Sequence, residues 1–267
     1  DIFFDPPEIN SSEGTRFHDR PSKMQPQLNY LRENSIPDTL GGIDIDKDLN
    51  LTQVALTLHS YLDNQDAICR RKIRMGHMDD GGWEICDDQG VRPEPPCIIY
   101  SFGIATDWTF DDDASRVYGC HVFAFDPSIG LAQHDRSQLV HFYPWGLAGL
   151  TGTGKNGWPM FTFGDIKRKL GHTDKVIDIV KMDIERSEWA ALPEMLASKQ
   201  LDMVRQLYAE YHVTSAINNR AALKTIQAIE KIGFKRFYVR KNFHCSRKER
   251  GFPVMRTSCY EVMYMRS

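Results

Sequence analysis

Residues 97–128 read CIIYSFGIATDWTFDDDASRVYGCHVFAFDPS. Cys97–Ser101 is an apolar run of strand length, and Phe102-Gly103 breaks it. Thr109 to Gly119 has helical length, with Asp111, Asp112 and Asp113 in its first turn, where the positive end of the helix dipole favours carboxylates. His121–Phe125 is a second β-rich run that stops at Asp126-Pro127. Strand, glycine turn, helix and strand make one βαβ unit. Asp126 follows Gly103 by roughly 20 residues, the interval at which nucleotide folds place the carboxylate that grips a ribose. The G-x-G-x-x-G run is absent, so the turn takes its meaning from Asp126 and from what lies downstream.

Downstream the alternation continues. Gln138–Tyr143 reads as a strand, and a glycine-rich loop from Pro144 to Pro159 follows. Met160–Phe163 is a short strand entering a helix to Leu170, and Val176–Met182 is a strand ending at Asp183. Then come a helix at Ser187–Leu196, a strand at Met203–Glu210 and a helix at Ala221–Ile232 closed by Gly233. Phe234–Lys241 and Thr257–Met265 have no helix between them, so they pair antiparallel. Upstream, Leu51–Met75 carries a helical pattern with Val54, Leu58, Leu62 and Ile68 on its apolar face, between Asn50 and Gly76 as caps. Gly76 to Gly90 reads as a loop anchored by Trp83, Ile85 and Cys86. Lys23–Glu33 suits a short helix, and the first 20 or so residues suit an arm or stem. The expected divisions are residues 1–50 as arm, 51–96 as helical cap and loop, and 97–267 as α/β core.

At 267 residues, 41% hydrophobic and 26% charged, the chain can bury a full core, and its net charge of −3 gives no reason to expect a nucleic-acid partner. No apolar run approaches the roughly 18 residues of a membrane span, so membrane attachment is expected only through an anchor preceding the sequence. The six cysteines form no C-x-x-C and do not suit zinc. The strand reading sets Cys97 and Cys120 at matching ends of neighbouring parallel strands, within bridging distance. Cys245 and Cys259 bracket the last turn, leaving Cys69 with Cys86. Sequons at Asn10-Ser11-Ser12 and Asn50-Leu51-Thr52 point to the same oxidising compartment, against six buried thiols in a cytosolic enzyme.

Three constellations carry chemistry. The first is Ser101-Phe102-Gly103 with Asp126 and Pro127: a turn open to close approach, and a carboxylate for ribose hydroxyls. Asp107, in the same turn, repels a pyrophosphate but tolerates an ammonium or sulfonium, which favours S-adenosylmethionine over a dinucleotide. The second is KMDIERSEW, Lys181 to Trp189, whose Asp183 and Glu185 follow a strand and belong at the same edge as Ser101. Glu188 reads as an ordinary helix-start carboxylate. The third is AEYHV, where Glu210 and His212 share one face and His212 is the candidate general base. The Asp79–Trp83 loop adds Asp80 and Trp83 as candidate acceptor contacts, Trp83 as a stacking face. No metal is expected. Gly149–Asn156 lacks the Ser or Thr of a P-loop. Asp44, Asp46 and Asp48 are followed by Leu49 and Ala55 where a calcium loop needs Gly and Glu. Asp44-Ile45-Asp46 is also the D-x-D of glycosyltransferases, but it precedes a helix rather than ending a strand.

DGGWEIC (Asp80–Cys86), CIIYSFGIATDWTFDD, FAFDPS and KMDIERSEW together resemble the methyltransferase-like protein 24-related family, relatives of the FkbM-type O-methyltransferases. The resemblance covers roughly residues 60–265. It implies a Rossmann-like seven-stranded methyltransferase sheet with a terminal antiparallel hairpin, S-adenosylmethionine as donor and a hydroxyl as acceptor. It matches Ser101, Phe102 and Gly103 to the cofactor turn, Asp126 to the ribose acid, and Asp183 and Glu185 to the acidic segment. Arg186 departs from the glycine of the FkbM-type pattern, and Ser101 from the acid many methyltransferases carry before the turn. With sequons and paired cysteines, the expectation is a Golgi-lumenal or secreted O-methyltransferase acting on glycans or other hydroxyl-bearing acceptors. Its rivals are a lumenal glycosyltransferase and a catalytically silent binding module.

Overall fold

The computed structural model describes residues 37, 40–214, 218–249 and 252–266. Residues 1–36 of the expected 1–50 arm, with the candidate helix at 23–33 and the sequon at Asn10, lie outside the described residues, while Leu40, Ile45 and Leu49 at its end are buried in the core. Two helices come first, α1 (Ile45–Asp48) and α2 (Leu51–Asp63), with Asn50 and Gln53 forming a capping box at the start of α2. A hairpin follows, β1 (Lys72–Met75) and β2 (Trp83–Cys86), paired antiparallel. The expected helix over 51–75 therefore stops at Asp63. Asn64 closes it on the Ser60 carbonyl, and the Asp66 and Ala67 amides donate to the Arg236 carbonyl, which turns the chain away. Ile68, expected on the apolar face, is 83% exposed. The expected loop over 76–90 likewise contains a strand. Its edge is closed by buried Gln206, which accepts from the Cys86 amide and donates to the Cys86 and Val91 carbonyls.

The core is a mixed α/β sheet of eight strands. In chain order the elements are β3 (Ile98–Phe102), α3 (Thr109–Tyr118), β4 (His121–Phe125), β5 (His134–Asp135) and β6 (Val140–Tyr143). A small three-stranded sheet of β7 (Gly146–Leu147), β8 (Gly152–Thr153) and β9 (Pro159–Phe161) leads into α4 (Phe163–Lys169). Then come β10 (Ile177–Met182), α5 (Glu188–Ala197), β11 (Val204–His212), α6 (Asn219–Lys231), β12 (Phe234–Arg247) and β13 (Arg256–Arg266). Across the large sheet the order is β12-β13-β11-β10-β3-β4-β6-β5. The strands β11, β10, β3, β4 and β6 are parallel, and β13 enters antiparallel between β11 and β12. The terminal hairpin is as expected. The eighth strand is the two-residue β5, too short to show as a period in sequence.

Alternation along each strand divides the core between two faces. Tyr100, Val180 and Leu207 point to the side packed by α2, α4, α5 and α6, while Ile99, Ile179 and Tyr208 meet α3 and the β1–β2 hairpin. Register aligns the strand ends: Phe102 pairs with Phe125 and Met182, and Met182 with Ala209. The next residue of each strand is therefore Gly103, Asp126, Asp183 and Glu210, one row along the carboxyl edge. All three cysteine pairs are bridged, Cys69–Cys86, Cys97–Cys120 and Cys245–Cys259, which suits an oxidising compartment.

Candidate functional site

Two cavities open along that edge and meet at Gly103 and Asp183, which line both. The first, about 170 Å³, is mainly apolar. Phe102, Phe125, Trp145, Leu147, Trp158 and Met160 wall it, with Asp126, Pro127 and Ser128 at one side. The ring of Phe102 stacks on Phe125 at 4.6 Å. Trp145 and Trp158 come from the glycine-rich loop, which carries no periodic signal.

Asp126 is nearly buried and already employed. Its Oδ2 accepts from the Ala105 amide at 2.8 Å, and its Oδ1 accepts from the Ser128 amide and hydroxyl at 2.8 and 2.6 Å. A carboxylate accepts about four hydrogen bonds, so one place on Oδ2 is left for a ligand hydroxyl. The expectation that Asp126 holds two ribose hydroxyls is thus narrowed to one, unless Ser128 gives way. Gly103 also differs from expectation. A Cβ there would lie 1.6 Å from the Asp183 carbonyl oxygen. The neighbouring backbone alone therefore requires the glycine, and Gly103 also lines both cavities. Lys181, which the sequence reading passed over, donates to the Gly103 carbonyl at 3.0 Å and pins the turn to β10.

The second cavity, about 290 Å³, is acidic. Asp80, Asp107, Asp111, Asp183, Glu210 and Glu261 line it, against Lys181 and His77. Burial raises Asp111 to about 6, although Lys181 and the Ser101 hydroxyl pull it down. Burial also raises Glu261 to about 7, opposed by Arg240, which donates to it at 2.8 Å. Asp111 is therefore a buried wall of the site, not simply a carboxylate at the helix dipole. Ser101 is fully buried and lines neither cavity. Trp83 is a wall too. Its ring stacks on Tyr208 at 6.2 Å, and it is 2% exposed. The paired glycines before Trp83 are both crowded: a Cβ on Gly82 would lie 1.9 Å from the His77 carbonyl, and one on Gly81 2.2 Å from Asp107 Oδ2. A charged residue within the apolar run of β13 was the overlooked signal for Glu261.

Behind Asp183, His212 lies among carboxylates. Its Nδ1 is 3.1 Å from Glu188 Oε1, which also accepts the His212 amide at 2.9 Å. Its Nε2 is 3.7 Å from Glu185, 3.8 Å from Glu210 and 3.9 Å from Asp183. Burial opposes the imidazole charge, but Glu188, Glu210 and Asp183 outweigh it and raise the histidine above its ordinary value. Burial beside Asp183 likewise raises Glu210. His212 lines neither cavity, which counts against the general-base role read from the sequence. Glu188, read there as incidental, is fully buried and orients the ring. Glu185 extends into solvent, 86% exposed.

Asp44 and Asp46 are occupied elsewhere. Asp44 caps α1 and Asp46 pairs with Lys224, both exposed.

Residues 47–266 match a family described as a methyltransferase domain. Probable methyltransferase-like protein 24 of Homo sapiens is 26% identical over 141 residues, covering 49% of this chain and 38% of that protein. The Rattus norvegicus protein of the same name is 26% identical over 179 residues, covering 61% and 49%. The chain thus spans less than half the length of these relatives. A solved structure described as a "putative methyltransferase" from Thermoplasma acidophilum aligns over 65% of this chain and 70% of that one, with 9% identity and a TM-score of 0.32.

Proposed function

Because the chain belongs to the methyltransferase domain family, we propose that it is an S-adenosylmethionine-dependent O-methyltransferase of the secretory pathway, in the Golgi lumen or secreted, acting on glycan hydroxyls. The observation that carries this reading is the junction at Gly103 and Asp183 between an aromatic pocket and an acidic cavity. The aromatic pocket suits an adenine, with Asp126 and Phe102 beside it. The acidic cavity suits a positive sulfur and an ammonium, and repels a pyrophosphate. The order of the sheet, with β13 antiparallel between β11 and β12, agrees with a seven-stranded methyltransferase sheet extended by β5.

When bound, S-adenosylmethionine supplies a methyl group made electrophilic by its sulfonium. The chain's part is to align an acceptor oxygen with that methyl and accept the proton it sheds. Among the described residues Asp183 is the one carboxylate bordering both cavities, so it is assigned the proton in place of His212. Asp80, Asp107 and Glu210 are assigned to the cofactor's ammonium and the acceptor. The three disulfides support a lumenal setting, in which sugar hydroxyls are abundant acceptors.

Calorimetry with S-adenosylhomocysteine tests the donor. The wild-type chain should bind it, and Asp126→Ala should weaken it by at least about tenfold, since a hydrogen bond to a charged group contributes about 1.5–3 kcal/mol. A glycan screen read by the mass of an added CH₂ tests the acceptor. Binding of a nucleotide-sugar diphosphate with manganese, and none of S-adenosylhomocysteine, would select a glycosyltransferase instead. Binding without turnover on any acceptor would leave a silent module.

A further inference from the structure

Among the described residues, three groups of His, Cys, Asp or Glu converge closely enough to share an ion. Two of them include Cys69 and Cys86, or Cys259, all locked in disulfides and unable to ligate as thiolates. The third is Asp183, Glu185 and His212, whose ligand atoms lie within 4.8 Å of one another.

The geometry around His212 is that of a metal ligand. Its side chain is nine-tenths buried. Among the described residues Nε2 has no hydrogen-bond partner, yet three carboxylate oxygens stand 3.7 to 3.9 Å away, from Glu185, Glu210 and Asp183. That spacing is too long for hydrogen bonds. It fits ligands on a common ion: with bonds of about 2.1 Å, two ligand atoms lie roughly 3.0 Å apart at right angles and roughly 4.2 Å apart in line. On the other side of the ring, Nδ1 meets the buried carboxylate of Glu188 at 3.1 Å. A carboxylate behind a histidine fixes the tautomer that presents Nε2 to a metal.

We infer that Asp183, Glu185 and His212, with Glu210 beside them, form a site for a divalent cation, and that Glu188 is its positioning residue. One imidazole with two or three carboxylates is a borderline-to-hard set, suited to Mn²⁺, Mg²⁺ or Zn²⁺ rather than to a soft ion. The site reverses the expectation of no metal. Its place decides its use: Asp183 and Glu210 face the acidic cavity, so an ion there holds an acceptor oxygen beside the Gly103 junction. That use rests on the methyl-transfer reading; the binding of the ion does not.

The test is a Mn²⁺ titration of the disulfide-intact chain, freed of metals by chelation and followed by electron paramagnetic resonance. Calorimetry with S-adenosylhomocysteine runs in parallel in the presence of chelator. One saturable Mn²⁺ per chain is expected, weakened at least about tenfold by Glu185→Gln and by His212→Gln, and also by Glu188→Gln. Glu185 is exposed, so its variant reports on the site without disturbing the fold. No saturable Mn²⁺, or affinity unchanged in Glu185→Gln and His212→Gln, overturns the site. If S-adenosylhomocysteine binds but no saturable Mn²⁺ does, the site falls and the methyl-transfer reading stands. Mn²⁺ binding without S-adenosylhomocysteine supports the site and removes that reading.

Discussion

The carbonyl oxygen of Asp183 lies 1.6 Å from where a Cβ on Gly103 would stand. This contact joins the ends of β3 and β10, and both cavities meet across it. Gly103 also has φ +71, and so does Gly130, where a Cβ would meet nothing within 4 Å. The two glycines thus separate a steric clash from a backbone preference. Gly130→Ala should cost about 1–2 kcal/mol, the ordinary penalty of the left-handed region. Gly103→Ala should cost at least about 2 kcal/mol more, because backbone must move against backbone. It should also abolish S-adenosylhomocysteine binding. Urea unfolding of the two variants side by side decides it. Equal losses would mean that the Asp183 contact relaxes freely.

Arg186 stands where the FkbM-type pattern has glycine, and the structure shows the conformation it adopts there. Glu185 and Arg186 have φ of +53 and +80, a conformation that suits glycine. Arg186→Gly should therefore stabilise the chain by about 0.5–1 kcal/mol, the left-handed penalty less the entropy of a more flexible unfolded chain. Arg186→Ala should gain nothing. A loss in the glycine variant would show that the Arg186 side chain holds the turn in place.

How much of this could be read beforehand follows from which physical signals are local. The order of elements was legible because β3, α3, β4, β10 and β11 each announce themselves by period and by a breaking residue. The shared edge was legible for the same reason: Gly103, Asp126 and Asp183 each follow a strand, Glu210 stands level with them near the end of β11, and parallel register aligns ends. What escaped is what depends on contacts across the chain. The helix over 51–75 fails because Asp66 and Ala67 are claimed by Arg236, far away in sequence. The hairpin at 72–86 rests on Gln206 within β11. Lys181, Glu261 and Glu188 sit in apolar or helix-start contexts whose local reading is structural, and only tertiary packing turns them toward the site.

The disulfides give a third prediction. Cys97 and Cys120 precede β3 and β4 and are both almost wholly buried. They close a loop of sequence separation 23, and Cys245 and Cys259 close one of 14. Either closure should contribute about 3 kcal/mol. The double variant Cys97→Ser, Cys120→Ser should lower stability by that amount, and alkylation of the native wild type should find no thiol. Recovery of six alkylated cysteines from the folded chain would contradict both the bridges and the oxidising compartment.

His59 sets a pH limit on the fold. It is 1% exposed, and its Nδ1 lies 2.8 Å from the Tyr260 hydroxyl. Burial pulls it from 6.5 down to about 4, with Arg256 and Arg247 working in the same direction and Glu249 and Asp63 against it. Above pH 6.5 the folded and unfolded chains both carry a neutral ring, so the residue makes stability no function of pH. As pH falls from 6.5 toward 4, the unfolded chain takes up a proton that the folded chain refuses, and stability drops. The full loss is about 3 kcal/mol, since each pKa unit corresponds to about 1.4 kcal/mol. His59→Gln cannot titrate and should lose that much less between neutral pH and the acid end. Urea unfolding of both chains across this range isolates the effect from every other titrating group. Parallel curves for wild type and variant would show that His59 accepts its proton inside the fold as readily as outside it.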